Sequence, residues 1–307
     1  VTGADDTVTS TERDWLADRF EEHRTRLRAV AYRMLGSTTE AEDAVQEAWL
    51  RLSRSDASTV DNLGAWLTTV VARLCLDALR SRAARREDSM DVHLPDLLIS
   101  TADGDDPEHE AELADSVGLA MLVVLDTLTP AERLAFVLHD TFGLPFDQIG
   151  RIVDRSPTAT RQLASRARRR VRGSVTPSDV SPERQRELVD AFLAAARAGD
   201  FEGLLRVLDP GAIVRGETGS AAPILGPSRI IRGAEAVARQ ALAFRQLAPG
   251  ARAAIVNGTA GVVAFAGDRP FAVVGFTFAN DRIVELDILA SPERLARLDL
   301  SGLAPAT

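Results

Sequence analysis

The chain has 307 residues, 45% of them hydrophobic, with a single cysteine and a formal net charge of -9. That length buries a sizeable core and accommodates two or three domains, and one cysteine excludes a disulfide framework or a cysteine-ligated metal site within one chain. No apolar run approaches a membrane span, and the opening VTGADDTVTSTERDW lacks the basic and apolar regions of a signal peptide, so the sequence predicts a cytoplasmic protein without membrane contact.

The acidity is local. Glu87 to Asp115 holds eleven Asp and Glu and no Arg, while outside it 36 basic residues face 34 acidic ones. The chain has no lysine, so every basic residue is arginine and arginine content alone says little. The contrast between segments says more: residues 116–180 carry nine arginines against six acids.

In chain order, residues 1–14 are polar and predict a mobile N-terminus. Trp15 to Leu35 reads as a helix, with Phe20, Leu27, Ala31, Met34 and Leu35 near helical spacing, ended by Gly36. Ser37 and Thr38 open a second helix whose apolar side is Ala41, Ala44, Val45, Ala48, Trp49 and Leu52; Asp43, Gln46 and Glu47 stand off it. After the loop SDASTVDN, Gly64 to Arg82 returns to helix, and Arg80, Arg82, Arg85 and Arg86 cluster at its end. These helices make a compact module over 15–86. The acidic stretch 87–115 reads as a solvated linker, except that Leu94, Pro95, Leu97 and Leu98 form an apolar patch suited to docking on a partner surface. Cys75 falls in an apolar helical pattern and reads as a small core residue.

The second module, 116–173, ends in a helix-turn-helix pattern. A short helix over Phe146–Val153 and a turn at Asp154-Arg155 lead to a helix capped by Ser156 with Pro157 in its first turn. Thr160, Leu163, Ala164, Ala167 and Val171 share one face; Arg161, Gln162, Ser165, Arg168, Arg169 and Arg172 lie on or near the other. Six arginines and no acid between Thr158 and Gly173 suit a recognition helix with an apolar back and a face turned to phosphates. Arg161 and Gln162 suit base edges, because arginine pairs bidentately with guanine and glutamine with adenine; Arg166, Arg168 and Arg169 suit phosphates. A solvated face is the plainer reading of any Arg-rich helix.

After a Ser/Pro-rich boundary at 174–182, residues 183–307 change character. Two helices split at Gly199-Asp200 precede strand-like segments at Ala212–Arg215, Ala253–Val256, Gly261–Ala266, Phe271–Phe278 and Ile283–Leu289, with turn signals at Asn257-Gly258, Gly267-Asp268 and Asn280-Asp281 and a helix at Glu235–Phe244. Helices followed by an antiparallel meander predict an α+β cone with a cavity under a curved antiparallel sheet.

AEDAVQEAWLRL, AWLTTVVARLCLDALRSRAARR and LTPAERLAFVLHDTFGLPFDQIGRIV with SPTATRQLASRARRRV, in this order, resemble the two modules of an extracytoplasmic-function sigma factor of bacterial RNA polymerase over about residues 16–173. The resemblance implies that Asp43, Gln46, Glu47 and Arg51 dock on the clamp helices of the β′ subunit, although Glu47 and Arg51 also suit an ordinary i,i+4 pair. It places the loop ending at Asn62 and the following helix against the melted upstream promoter element, with Arg73, Arg80, Arg82, Arg85 and Arg86 lining a positive groove; Arg73, Asp77 and Arg80 equally suit a local ion-pair ladder. It implies that the second module, with Thr158, Arg161, Gln162, Ser165, Arg166, Arg168 and Arg169, binds the distal promoter element and the β flap.

AFLAAARAGDFEGLLRVLDPGAIV resembles the opening of the SnoaL-like family within the NTF2-like fold. Together the parts resemble the SigJ-like type of sigma factor, whose tail is thought to regulate in cis. GETGS at 216–220 and SPERL at 291–295 stand where that group carries two short motifs, which implies Gly216, Glu217, Pro292 and Leu295 at a regulatory interface with the sigma modules. Catalytic members of the fold use acids and bases lining the cone. Here all four histidines, the cysteine and the tyrosine lie outside the domain, leaving Glu285 and Asp287 as candidate pocket acids, for which a cross-strand pair with an arginine is the commoner role. No catalytic residue, metal or cofactor is expected. A small apolar ligand in the cone is compatible with the pattern, and the alternative function is a fused small-molecule isomerase or cyclase.

Overall fold

The computed structural model describes residues 5–55, 62–85, 93–101, 118–174, 180–219, 229–243, 245 and 250–303, with the side chains of 5–14, 85, 173, 174 and 301 left aside. Arg86, the side chain of Arg85, most of the loop before Asn62, Ser220, Phe244 and the acidic stretches 86–92 and 102–117 lie outside that description. The chain divides into two compact units, one of residues 1–88 with 124–174 and the other of residues 89–123 with 175–307.

The described secondary structure of the first unit is all helical, with turns and short loops between the helices. Helices α1 (Asp5–Leu35), α2 (Thr38–Leu52) and α3 (Leu63–Arg85) form its first part. Helix α1 starts well ahead of Trp15, so the polar run from Asp5 is helical rather than loop. Ser37 caps α2, its hydroxyl accepting from Glu40 N at 3.4 Å. The apolar side read from sequence turns inward: Ala41, Ala44, Val45, Ala48 and Leu52 are buried with Leu27, Val30, Ala31 and Met34 of α1 and Leu67, Val71 and Leu76 of α3. Cys75 lies in this core, where burial pushes its thiol up to about 12, so it is an inert packing residue.

The second part begins within α4 (Leu119–Asp126), whose first residues belong to the other unit, and continues through α5 (Pro130–Phe136), a π-helical turn at Val137–Thr141, α6 (Phe146–Val153) and α7 (Pro157–Ser174). Thr129 and Glu132 form a reciprocal capping box on α5. The two parts are tied by Arg133. It is 2% exposed, donates from Nε to Arg33 O of α1 at 3.1 Å and is ion-paired with Asp126.

The turn between α6 and α7 is set by local chemistry. Asp154 ends α6 in the left-handed region (φ 55), and Arg155 N closes back on Gly150 O at 3.0 Å. A Cβ at Gly150 would stand 2.6 Å from Arg155 O, so only glycine lets the turn fold this tightly. Gly150→Ala is expected to lower unfolding free energy by about 2 kcal/mol, read by urea titration; unaltered stability would mean that the turn widens freely.

The second unit is built on a seven-stranded sheet ordered β1-β4-β5-β6-β7-β2-β3, from β1 (Ile99–Thr101), β2 (Leu208–Glu217), β3 (Arg229–Arg232), β4 (Ala251–Val256), β5 (Thr259–Ala266), β6 (Arg269–Ala279) and β7 (Arg282–Leu289). Strands β4 to β7 form the expected meander, but β2 runs parallel to β7, so the sheet is mixed. Register shifts at Ala264/Phe265, Thr277/Phe278 and Leu208/Ile213 curve it. Helices α8 (Pro182–Ala198), α9 (Phe201–Val207) and α10 (Ala234–Ala243) cover one face, burying Leu188, Phe192, Leu204 and Val237 on Val262, Phe276, Phe278 and Leu286.

The opposite face is not bare. Leu94 and Leu97 of the acidic segment, Leu119 and Leu295 pack there on Val256, Val263, Phe265, Val273 and Leu289. Gly275 admits Leu119: a Cβ there would meet Leu119 Cδ2 at 2.8 Å. No described helix is long and apolar enough to cross a membrane.

Candidate polymerase and promoter interface and a clasped linker

Three surfaces carry the chemistry. On α2, Asp43, Gln46 and Arg51 are exposed and Glu47 half-buried, with Arg51 Nε 2.9 Å from Glu47 Oε1. Leu50 stands exposed among them at 38%, a residue that periodicity does not single out. It shares the solvent-facing side of α2 with Gln46 and Arg51, which are also exposed.

On α7, Thr160, Ala164, Ala167 and Val171 are buried, while Thr158, Arg161, Gln162, Ser165, Arg166 and Arg169 are exposed. The two-faced helix read from sequence is therefore present. Arg161 lies 5.2 Å from the Phe146 ring centroid, a cation–π contact that restrains its guanidinium. Arg168 is half-buried, its Nε held by Asp140 at 2.6 Å. Arg170 is likewise tied to Glu132 at 2.6 Å, which with Thr129 holds that carboxyl below its ordinary range against the opposing effect of burial.

Arg73, Arg80 and Arg82 of α3 are engaged within the unit. Arg82 is ion-paired with Glu40 and donates to Leu35 O at 2.8 Å; Arg80 lies 3.6 Å from Asp77; Arg73 Nη2 reaches Arg151 O of α6 at 3.4 Å. Asn62 caps α3, its Oδ1 accepting from Ala65 N at 3.0 Å. Of the groove read from sequence, Arg82 also braces α3 against Glu40 and Leu35 O, and Arg85 and Arg86 fall outside the described side chains.

The third surface joins the segment 93–101 to the sheet. Glu217 Oε2 accepts from Leu94 N at 2.6 Å and from Arg294 Nη1 at 2.6 Å, while His93 Nδ1 lies 3.6 Å from its Oε1. Arg294 also donates to Leu94 O at 2.7 Å, Pro95 O at 2.9 Å and Asp96 Oδ1 at 2.9 Å. Burial works to raise the Glu217 carboxyl, but His93, the Leu94 amide and Arg294 together hold it below its ordinary value. Asn257 exchanges two bonds with Leu98, and β1 then pairs with β4, Ile99 opposite Val256. Glu217 and Leu295, with Gly216 and Pro292 close by them in the chain, therefore meet the linker segment, whose Leu94 and Leu97 are buried on the sheet.

Strand pairing also settles where the carboxylates of β7 point. Arg215 pairs with Asp287 and Glu217 with Leu289, so Glu285, Asp287 and Arg215 share the face of Leu289 and Glu217, whereas Val214, Leu286 and Ile288 face the helices. Glu285 and Asp287 are consequently not pocket acids. Both bind Arg215, at 2.8 Å and 3.1 Å.

Residues 19–85 match the family model for Sigma-70 region 2, and residues 119–171 match that for Sigma-70 region 4. Over 203 residues the chain is 41% identical to the probable ECF RNA polymerase sigma factor SigI of Mycobacterium tuberculosis, covering 65% of this chain and 69% of that protein. The chain belongs to the extracytoplasmic-function sigma factors. SigJ of the same organism is 42% identical over 206 residues, covering 66% of this chain and 65% of that one. The crystal structure of Mycobacterium tuberculosis SigJ is similar over 92% of this chain and 99% of its own, with a TM-score of 0.75 and 33% identity, so the likeness extends through the C-terminal unit. In this sigma factor, region 2 corresponds to α1 to α3 and region 4 to α4 to α7.

Asp287 of the sigma factor is 1% exposed, and burial pushes its carboxyl up to about 6 despite Arg215. A raised carboxyl binds its proton more tightly in the folded chain, so stability falls as pH rises from the unfolded value toward 6 and stays lower above it, by about 3 kcal/mol at most. Asp287→Asn is expected to remove that fall; the check is thermal melting of both proteins between pH 4 and 7, and parallel profiles would overturn it.

Proposed function

We propose that this sigma factor docks on the β′ clamp helices of core polymerase through Asp43, Gln46, Glu47 and Arg51, with Leu50 at the centre of the contact. Region 4 reads the distal promoter element through Arg161 and Gln162, with Thr158, Ser165, Arg166 and Arg169 as the phosphate-side contacts and the β flap as its polymerase partner. Arg73 and Arg80 serve the melted upstream element once Arg73 leaves Arg151. The C-terminal unit governs this activity in cis and is not an enzyme. Supporting the last point, the described residues lining the cavity beneath its helices include no ionisable side chain.

The observation that carries the regulatory reading is the clasp on residues 93–101. This part of the connection between regions 2 and 4 is integral to the C-terminal unit's core, with Leu94 and Leu97 buried there. While it is seated, residues 93–101 cannot extend as a tether between the two promoter-binding regions. Releasing them lengthens the tether, and a signal that favours one state shifts the population. The test compares promoter-directed transcription by the full chain and by a chain ending at Gly173, each with purified core polymerase. Higher output from the shorter chain is expected; equal output removes the regulatory role.

A further inference from the structure

Beneath α8 and α10 the cone holds a cavity of about 130 Å³ that is partly open to solvent, lined by Phe192, Val214, Val262, Phe271, Phe276 and Leu286 among other apolar residues. We propose that it binds a small, uncharged, mainly apolar molecule about one ring in size, carrying one hydrogen-bond acceptor that meets Gln240. Size argues for a single ring, because an apolar cavity of about 150 Å³ stays dry and takes up benzene. Charge argues for a neutral molecule: no ionisable residue is among the described lining, so a charged guest would lose its hydration with nothing to replace it.

Polarity argues for the acceptor. Gln240 is the one polar residue of the described lining, and it is half-exposed on α10. Its Oε1 accepts from Arg229 Nη2 at 2.6 Å, which leaves the Nε2–H group as a donor. A ketone, ether or hydroxyl fits that donor. With neither acid nor base among its described lining, the cavity holds its guest without transforming it.

The same strands face both ways. Val214 of β2 and Leu286 and Ile288 of β7 line the cavity, while Glu217 and Leu289 on those strands hold the linker segment. A guest that shifts β2 or β7 acts on the clasp; this last link rests on the in-cis regulation proposed above, whereas binding itself does not.

The test titrates the full-length chain with toluene, cyclohexanone and benzoate by calorimetry and ligand-observed NMR. One molecule of toluene or cyclohexanone is expected per chain, with benzoate weaker by about a hundredfold. Gln240→Leu is expected to weaken cyclohexanone by about fivefold and leave toluene unchanged. Ala241→Trp, which fills the cavity from α10, is expected to abolish both. Absence of binding by either neutral probe, benzoate binding as well as they do, or undiminished binding in a folded Ala241→Trp chain overturns the site; if that variant does not fold, the Gln240→Leu comparison decides. Probe binding that leaves transcription by the full chain unaltered, while truncation at Gly173 raises it, keeps both the site and the regulation and overturns the link between them.

Discussion

Replacing both Asp43 and Glu47 by arginine is expected to eliminate association with core polymerase while leaving the fold intact. Asp43 is exposed and Glu47 half-buried, and the ion pair at stake is that of Glu47 with Arg51 at 2.9 Å. A surface pair of that kind contributes little to folding, on the order of 0.5 kcal/mol. Against a partner of complementary charge, the same change turns attraction into repulsion and costs at least about 3 kcal/mol, more than a hundredfold in affinity. The measurement is co-elution with purified core polymerase beside a circular-dichroism melt. Retained association by a folded double variant would move the polymerase contact off α2. Leu50→Ala, which removes the apolar side chain and leaves the charge unaltered, separates burial from charge.

Arg294→Ala is expected to free the linker segment. The guanidinium donates to Leu94 O, Pro95 O, Asp96 and Glu217, and its loss leaves the Glu217 carboxylate nearly buried without its cationic partner. Breaking a buried pair from one side costs about 3 kcal/mol. That is comparable with what burying Leu94 and Leu97 contributes, so the clasp should open locally rather than unfold the unit. Amide exchange at Leu94, Leu98 and the β1 residues should accelerate, and promoter-directed output should rise toward that of the chain ending at Gly173. The pH dependence has a defined sign. Because Glu217 is held below its ordinary carboxyl value in the folded chain, its contribution is fully present above that value and disappears as pH falls through the lowered one. In Arg294→Ala this pH-dependent contribution should shrink, because burial then opposes the ionised carboxyl with one cation fewer to offset it. Exchange rates identical to the unaltered chain would place the holding force elsewhere.

Much of this architecture is legible in the order of residues. The apolar spacing of α2 and α7 dictates which side turns inward, and Ser156-Pro157 marks the start of the recognition helix. Asn257-Gly258 and Asn280-Asp281 have positive φ at both turn residues, the backbone that tight hairpins need and that these residue types tolerate. What escapes such reading is long-range or too short to carry a period. β1 is three residues inside an acidic stretch and becomes a strand only because Asn257 and β4 offer it partners. The Glu217–Arg294 clasp joins residues far apart in sequence, and no spacing rule links them. Arg133 looks like one more polar helix residue, yet its reach to Arg33 O places it in the core. The alternation of β7 is visible, but which side faces the helices depends on its pairing with β2, and that pairing turns Glu285 and Asp287 away from the cavity. The capping role of Asn62, whose side chain holds the first turn of α3, is likewise not singled out by the resemblance.

The interleaving of the chain bears on how such proteins can be recombined. Residues 93–101 supply an edge strand and two core leucines to a domain whose remaining strands lie more than a hundred positions later. A hybrid made by grafting a foreign tail after Gly173 would inherit a segment tailored to the wrong receptor, with greasy side chains left in water. Transplanting the tail together with that nonapeptide should yield well-behaved hybrids, because the inheritable module is discontinuous.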